Sequence, residues 1–292
     1  MTYVEIFSSY LITECDQRAF VLKAVGIEHL VTQRENRFVL LVPEAQAANA
    51  LEHLRISEEE SRPKPAPPPF ALHERAWSGS IVYAVAMLTI AYCSGANVGG
   101  FNWYEAGALR SHVYASGEWW RIVTALTLHA DVGHLIGNLA FGIPYGYFAA
   151  QLLGTGRAWM SILIAAALGN LLDSALMSPQ QSSIGASTAV FAMLGLVGAY
   201  AWRRGHSRFN RWAHRWAPII AAVALLAFTG VGDERTDIVA HLAGFFFGVL
   251  TGAVQAHVRS KVLDRRAVQV LMGLFTCAIV IAAWGWGLRR AG

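Results

Sequence analysis

Beyond residue 77 the chain breaks into seven apolar runs, each close to the roughly 20 residues that an α-helix needs to cross a bilayer. They fall at 78–96, 134–152, 157–176, 187–203, 215–231, 237–257 and 268–288. In lipid every backbone N–H and C=O must find a partner inside the protein, so runs of this length fold as helices. Composition agrees: 55% of the residues are hydrophobic and 14% charged, where soluble domains carry about 25% charge. The expected fold class is mainly α, a polytopic membrane helix bundle with a small α+β domain ahead of it.

The breaks between runs set the orientation. Trp202 to Arg211 and Arg259 to Arg266 are basic, whereas the loops at 101–121, 178–183 and 232–237 are mixed or acidic. The positive-inside rule puts the N-terminus and the basic loops in the cytoplasm. Arg289 and Arg290 would then lie outside, a minor exception. The net charge of +4 comes largely from arginines in these short loops, which speaks to topology and membrane lipid rather than to nucleic acid. No basic segment followed by an apolar core opens the sequence, so no cleavable signal peptide is expected, and the bacterial cytoplasmic membrane is the expected location. Cys15, Cys93 and Cys277 are far apart and show neither metal-binding spacing nor a disulfide framework.

Residues 1–57 read as a small soluble domain. Tyr3 to Phe7 alternates like a strand, and Asp16 to Val25 reads as a helix closed by Gly26. Ile27 to Val31 and Phe38 to Val42 are strand-like, and Pro43 opens a helix through about Leu54. This βαββα order predicts a half-ferredoxin-like module, with a cytosolic partner as its expected role. Residues 58–75, charged and then proline-rich, form a semi-rigid linker. Residues 76–260 hold a six-helix membrane core, and 261–292 an additional helix. Between the first two runs, Phe101 to Trp120 is too polar to span and rich in Trp and Tyr, which predicts an element lying at the membrane interface.

Three motifs place reactive side chains at the starts of apolar runs. Gly185-Ala186-Ser187 offers a hydroxyl beside a glycine that lets the backbone bend, at a helix start whose free N–H groups suit an anion. A serine there also serves simply to let helices approach. His241 stands in Ala240-His241-Leu242-Ala243-Gly244, and a histidine in an apolar segment is a functional candidate by default. Gly244, Gly248 and Gly252 form a small-residue stripe that permits close packing on a neighbour. His134 and Asn138 share one helix face, as donors for an oxyanion or as interhelical glue. The topology brings all three motifs to the outer side. Nucleophile, base and donors together suit acyl transfer.

These residues resemble the rhomboid family of intramembrane serine proteases over about Trp120 to Gly248. Trp120-Arg121, His134-x-x-x-Asn138, Gly185-Ala186-Ser187 and Ala240-His241-x-x-Gly244-x-x-x-Gly248 are similar to its motifs in order and spacing. The resemblance implies a six-helix core and cleavage of transmembrane protein substrates by a Ser187–His241 dyad. It also implies an oxyanion hole of His134, Asn138 and the Ser187 amide, with Phe191 as the aromatic ring against the histidine. Gly185 and Gly244 would support the site. One residue departs: the family motif is usually Gly-x-Ser-Gly, and here Thr188 follows the serine.

Competing chemistries have less behind them. Gly230-Val-Gly-Asp233 matches the glycine–aspartate signature of intramembrane aspartyl proteases, but no second aspartate motif accompanies it. Zinc lacks the His-Glu-x-x-His spacing, so neither a metal nor a cofactor is expected. A transporter would show internal repeats, and none is visible. The remaining alternative is a catalytically inactive relative that binds membrane helices, for which Thr188 is the one supporting residue.

Overall fold

The structure, a computed structural model, describes residues 2–61, 72–73, 76–204, 220, 224, 237–258 and 260–291. The expected span 215–231 lies outside them apart from positions 220 and 224. So do most of the linker and most of the basic loop after Arg204. The chain divides into two compact units, residues 1–70 and 71–292.

In the first unit β1 (Tyr3–Ser9), α1 (Ile12–Ala24), β2 (Leu30–Arg34), β3 (Arg37–Pro43) and α2 (Ala47–Ser61) follow in the expected order. The antiparallel sheet runs β1-β3-β2, so β3 lies between the two strands that flank α1. Glu35 and Asn36, both at positive φ, make the two-residue turn that pairs Arg34 with Arg37, the geometry that matches strand twist. Leu22, Ile27, Leu40, Val42, Ala50 and Leu54 form the core. Helix α2 runs on past Leu54 to Ser61, and Arg55 pairs with Glu52 and Glu59 along its exposed face.

The second unit contains six long helices among the described residues: α3 (Trp77–Gly95), α4 (Val132–Leu153), α5 (Thr155–Leu176), α6 (Ser187–Arg203), α7 (Ile238–His257) and α8 (Arg266–Ala291). Four of them, α3, α5, α7 and α8, are long and apolar enough to cross a membrane. Their inward faces are not the most hydrophobic ones. On α5 the buried residues include Gly156, Ser161, Ala165, Gly169, Asn170 and Asp173, while Ile164, Leu168, Leu172 and Leu176 stay exposed. Lipid tails are as apolar as leucine, so small residues that permit close approach go inward.

At the N-terminal end of α5 the buried Arg157 ties the turns together. Its guanidinium donates to Gln255 Oε1 at 2.7 Å and to the carbonyls of Gln255 and Val258 at 3.0 and 3.2 Å, closing the end of α7. Gln269 of α8 accepts the Arg157 N–H at 3.1 Å and donates to the carbonyls of Leu153 and Leu263.

The aromatic segment before α4 is folded against the helices rather than spread out with all its rings exposed. Short helices at Trp103–Gly107 and Val113–Ser116 flank a strand, Leu109–Arg110, that pairs with Ser182–Ser183. Trp103 and Trp120 are buried against α8, and only Tyr114 and Trp119 remain exposed. Buried Arg121 holds the segment from within: it donates to the carbonyls of Glu105 and Ala108, both at 2.8 Å, and pairs with Glu118. These bonds satisfy carbonyls that no regular element reaches.

Candidate active site

Two helices meet at the site without a spacer between their backbones. A methyl group built on Gly248 of α7 would stand 2.8 Å from Ala192 Cα of α6, and one on Gly252 2.9 Å from Leu196 Cα. Such distances leave room only for hydrogen. With the helices this close, His241 Nε2 and Ser187 Oγ form a 2.7 Å hydrogen bond. His241 is 4% exposed. Its ring stacks on Phe191, one turn beyond Ser187, with centroids 4.7 Å apart and planes at 17°. His241 Nδ1 is buried and makes no hydrogen bond among the described residues.

The three helix starts at the site are built differently. Asp131 caps α4 by accepting the His134 N–H at 2.8 Å, and Asp237 caps α7 by accepting the Ala240 N–H at 3.0 Å. Helix α6 begins after Ala186 with no side-chain cap. Its first N–H groups therefore carry the positive end of the helix dipole with no carboxylate to neutralise it.

Gly185 shapes the space in front of that helix. It has φ +138°, a region closed to residues with a β-carbon, and its N–H donates to the Ala125 carbonyl at 2.9 Å. A β-carbon there would lie 2.7 Å from His134 Nε2 and 3.4 Å from Ser187 Oγ. Glycine thus leaves one small volume open to both groups. Asn138 is buried, and its Nδ2 donates to the His134 carbonyl at 3.1 Å. Tyr83 of α3 donates to the Asn138 carbonyl.

Thr188 is buried, and two glycines on separate helices make room for it. Its Cγ2 lies 3.0 Å from where a β-carbon would stand on Gly169 of α5 and on Gly244 of α7. The branched side chain fills a groove that both glycines leave open.

The sequence-predicted Ser187, His241, Phe191, Gly185, His134 and Gly244 thus gather at one place, with Asn138 one turn along α4. Asp233 lies outside the described residues. Among those residues no group of three His, Cys, Asp or Glu side chains could hold a metal ion. Sequence reasoning missed Gly169, Tyr83 and Ala125, whose roles come from long-range contacts. The run Ala165, Ala166, Gly169 at helical spacing was the one available hint of a tightly packed face.

Comparison with known proteins agrees with this arrangement. The rhomboid domain model matches residues 116–258, which include every residue of the site except Tyr83. The chain carries a rhomboid domain. With its long apolar helices, this makes it a multi-pass membrane protein. Rhomboid-like protease 3 of Toxoplasma gondii is 34% identical over 146 residues, covering 49% of this chain and 54% of that protein. Rhomboid protease GluP of Bacillus subtilis is 26% identical over 183 residues, 63% of this chain and 34% of that protein. RHOMBOID-like protein 1 of Arabidopsis thaliana is 32% identical over 153 residues, with 51% and 38% covered. The chain spans about half or less of the length of these relatives. Two of the three are named as proteases.

Proposed function

We propose that this rhomboid protein is an intramembrane serine endopeptidase that cleaves transmembrane helices of membrane-protein substrates near the extracytoplasmic face. The observation that carries the reading is the 2.7 Å bond between Ser187 Oγ and His241 Nε2, within the ~2.6–3.2 Å reach of a nucleophile and its base.

His241 Nε2 takes the Ser187 proton as Oγ attacks a peptide carbonyl carbon. The same proton passes to the departing amine as the C–N bond breaks, leaving an acyl-serine. Water, deprotonated by His241, then hydrolyses the ester and restores Ser187. The uncapped start of α6, His134 beside Gly185 and the second Nδ2 hydrogen of Asn138 stabilise the oxyanion. Helix α6 has 17 residues and rises about 26 Å, short of the ~30 Å hydrocarbon layer. With the basic Arg203 end at the inner surface, Ser187 sits a few ångströms below the outer one. An intact substrate helix hides its peptide bonds, so segments rich in helix-weakening residues are preferred.

In this reading the N-terminus is cytoplasmic, in a bacterial cytoplasmic membrane, and the small domain (1–57) can meet a cytosolic partner. The linker (58–75) joins it to the catalytic core (76–260), and 261–292 is an added helix. The division of the chain into units 1–70 and 71–292 supports the separation of the small domain from the helices that follow.

The test compares wild type, Ser187→Ala and His241→Ala in detergent with a single-span substrate and a fluorophosphonate probe. Cleavage and labelling by wild type alone are expected. A folded wild type that neither cleaves nor labels would instead be a helix-binding relative without activity, and cleavage by Ser187→Ala would sink the mechanism.

A further inference from the structure

Helix α8 does not reach the dyad, yet its deepest contacts are concentrated at one end. Its buried residues are Ala283, Trp284 and Gly287, and all three meet the segment before α4. Ala283 packs with Trp120 and Val123. Gly287 receives the Trp120 indole, which would stand 2.9 Å from a methyl there. Trp284 packs on Trp103, with ring centroids 4.8 Å apart, and on Leu128. Its Nε1 donates to Thr127 Oγ1 at 3.0 Å, and that hydroxyl donates to the Thr124 carbonyl at 2.7 Å. An apolar ring gains little by leaving lipid for protein, so a buried, hydrogen-bonded indole marks a contact fixed by geometry.

The segment that Trp284 holds is the one that touches the Ser187 turn. The Ala125 carbonyl accepts the Gly185 N–H at 2.9 Å. The His129 ring meets His134 edge-on, with centroids 5.2 Å apart at 73°, and His134 Nε2 borders the open space beside Gly185. Tyr104 pins the His129 carbonyl from the other side at 2.6 Å. A continuous line of contacts thus runs from α8 through residues 124–129 to the nucleophile.

We propose that Trp284 is a positioning residue for the reaction: by fixing Thr127 it sets the segment that holds Gly185 and His134 against Ser187. The added helix is then a brace for the active site rather than only a membrane anchor. This rests on the serine-protease reading above.

The test uses the full chain in detergent and three variants: Trp284→Phe, which keeps the ring and loses the N–H, Thr127→Val, which loses the acceptor, and the double variant. The readouts are kcat and KM on a single-span substrate, the rate of fluorophosphonate labelling of Ser187, and thermal unfolding to correct for the folded fraction. Each single variant is expected to lower kcat and labelling about three- to tenfold per folded molecule with KM unchanged, the scale of one hydrogen bond. The double variant is expected to fall no further, because both remove the same link. Unchanged kcat in folded Trp284→Phe, or losses that multiply in the double variant, would overturn the proposal while leaving the protease reading intact. A wild type that neither cleaves nor labels would remove the protease reading, and this inference with it.

Discussion

Gly248→Ala tests whether backbone packing sets the Ser187–His241 pair. The new methyl would stand 2.8 Å from Ala192 Cα and 2.9 Å from its carbonyl carbon, where carbon atoms prefer about 3.5–4.0 Å. Both obstacles are backbone, so no side chain can rotate away, and α6 and α7 must part by about 1 Å. Gly248 lies about two turns from His241 on the same helix. A rigid shift would take the Ser187–His241 separation from 2.7 Å to about 3.7 Å, beyond the ~3.2 Å reach of proton transfer. Misplacement on that scale costs about 10²-fold in rate, and overpacking about 1–3 kcal/mol in stability. The matched control is Gly285→Ala on α8, where a methyl meets nothing within 4 Å. Initial cleavage rates and fluorophosphonate labelling, both corrected for folded protein, should fall about 10²-fold for Gly248→Ala and stay level for Gly285→Ala. Folded Gly248→Ala with rates within threefold of wild type would refute the argument that helix contact holds the two side chains in register.

Two other positions give separable outcomes. Thr188→Gly should lose about 1–2 kcal/mol in thermal or denaturant unfolding, because it empties the groove facing Gly169 and Gly244, and should keep cleavage within a few-fold. A large gain in rate would mean that Thr188 restrains the site instead. In the loop ahead of α4, burial, with His134 adding to it, holds the pKa of His129 down at about 4, against about 6.5 in an unfolded chain. The unfolded chain takes up this proton first, so stability is full above about pH 6.5 and falls as the pH drops towards 4, by up to about 3 kcal/mol. His129→Phe should flatten that part of the stability–pH profile in detergent, and an unchanged slope would assign the acid sensitivity to another group.

The described helices were legible because each expected run had about the length that lipid demands, and their ends fall within a few residues of the runs. The meeting of Ser187 with His241 was legible because each stands in a short motif at the start of an apolar run. What packs on what was not. Trp103 and Trp120 read as interfacial aromatics, since a tryptophan facing lipid headgroups and one buried beneath a helix have the same local sequence. In a soluble domain hydrophobicity separates inside from outside, but on α5 it runs the other way, with leucines out and Gly169 and Asp173 in. The room made for Thr188 could not be foreseen from its own motif, because one of the two glycines concerned lies on α5. The turn at Glu35 and Asn36 was equally silent: its positive φ values are imposed by the pairing of β2 with β3, with no glycine to announce them.

In the proposed mechanism His241 is a base with no carboxylate hydrogen-bonded to its Nδ1 among the described residues, so the ring needs another source of orientation. Soluble serine proteases hold the imidazole through its Nδ1–H with an aspartate, which fixes both the ring and its tautomer. In this chain Nδ1 of His241 has no hydrogen-bond partner among the described residues, and the ring is set by its stack on Phe191. That stack is only as rigid as the relation between α6, which carries Phe191 and Ser187, and α7, which carries His241. Glycines at 244, 248 and 252 bring the two backbones into direct contact, so the helices can neither slide nor rotate without a backbone collision. Orientation that an aspartate would supply through one hydrogen bond is distributed here over several turns of helix. On this argument the Ser187–His241 pair should be far more sensitive to methyl-sized changes along the glycine stripe than to the loss of any single polar group outside the site.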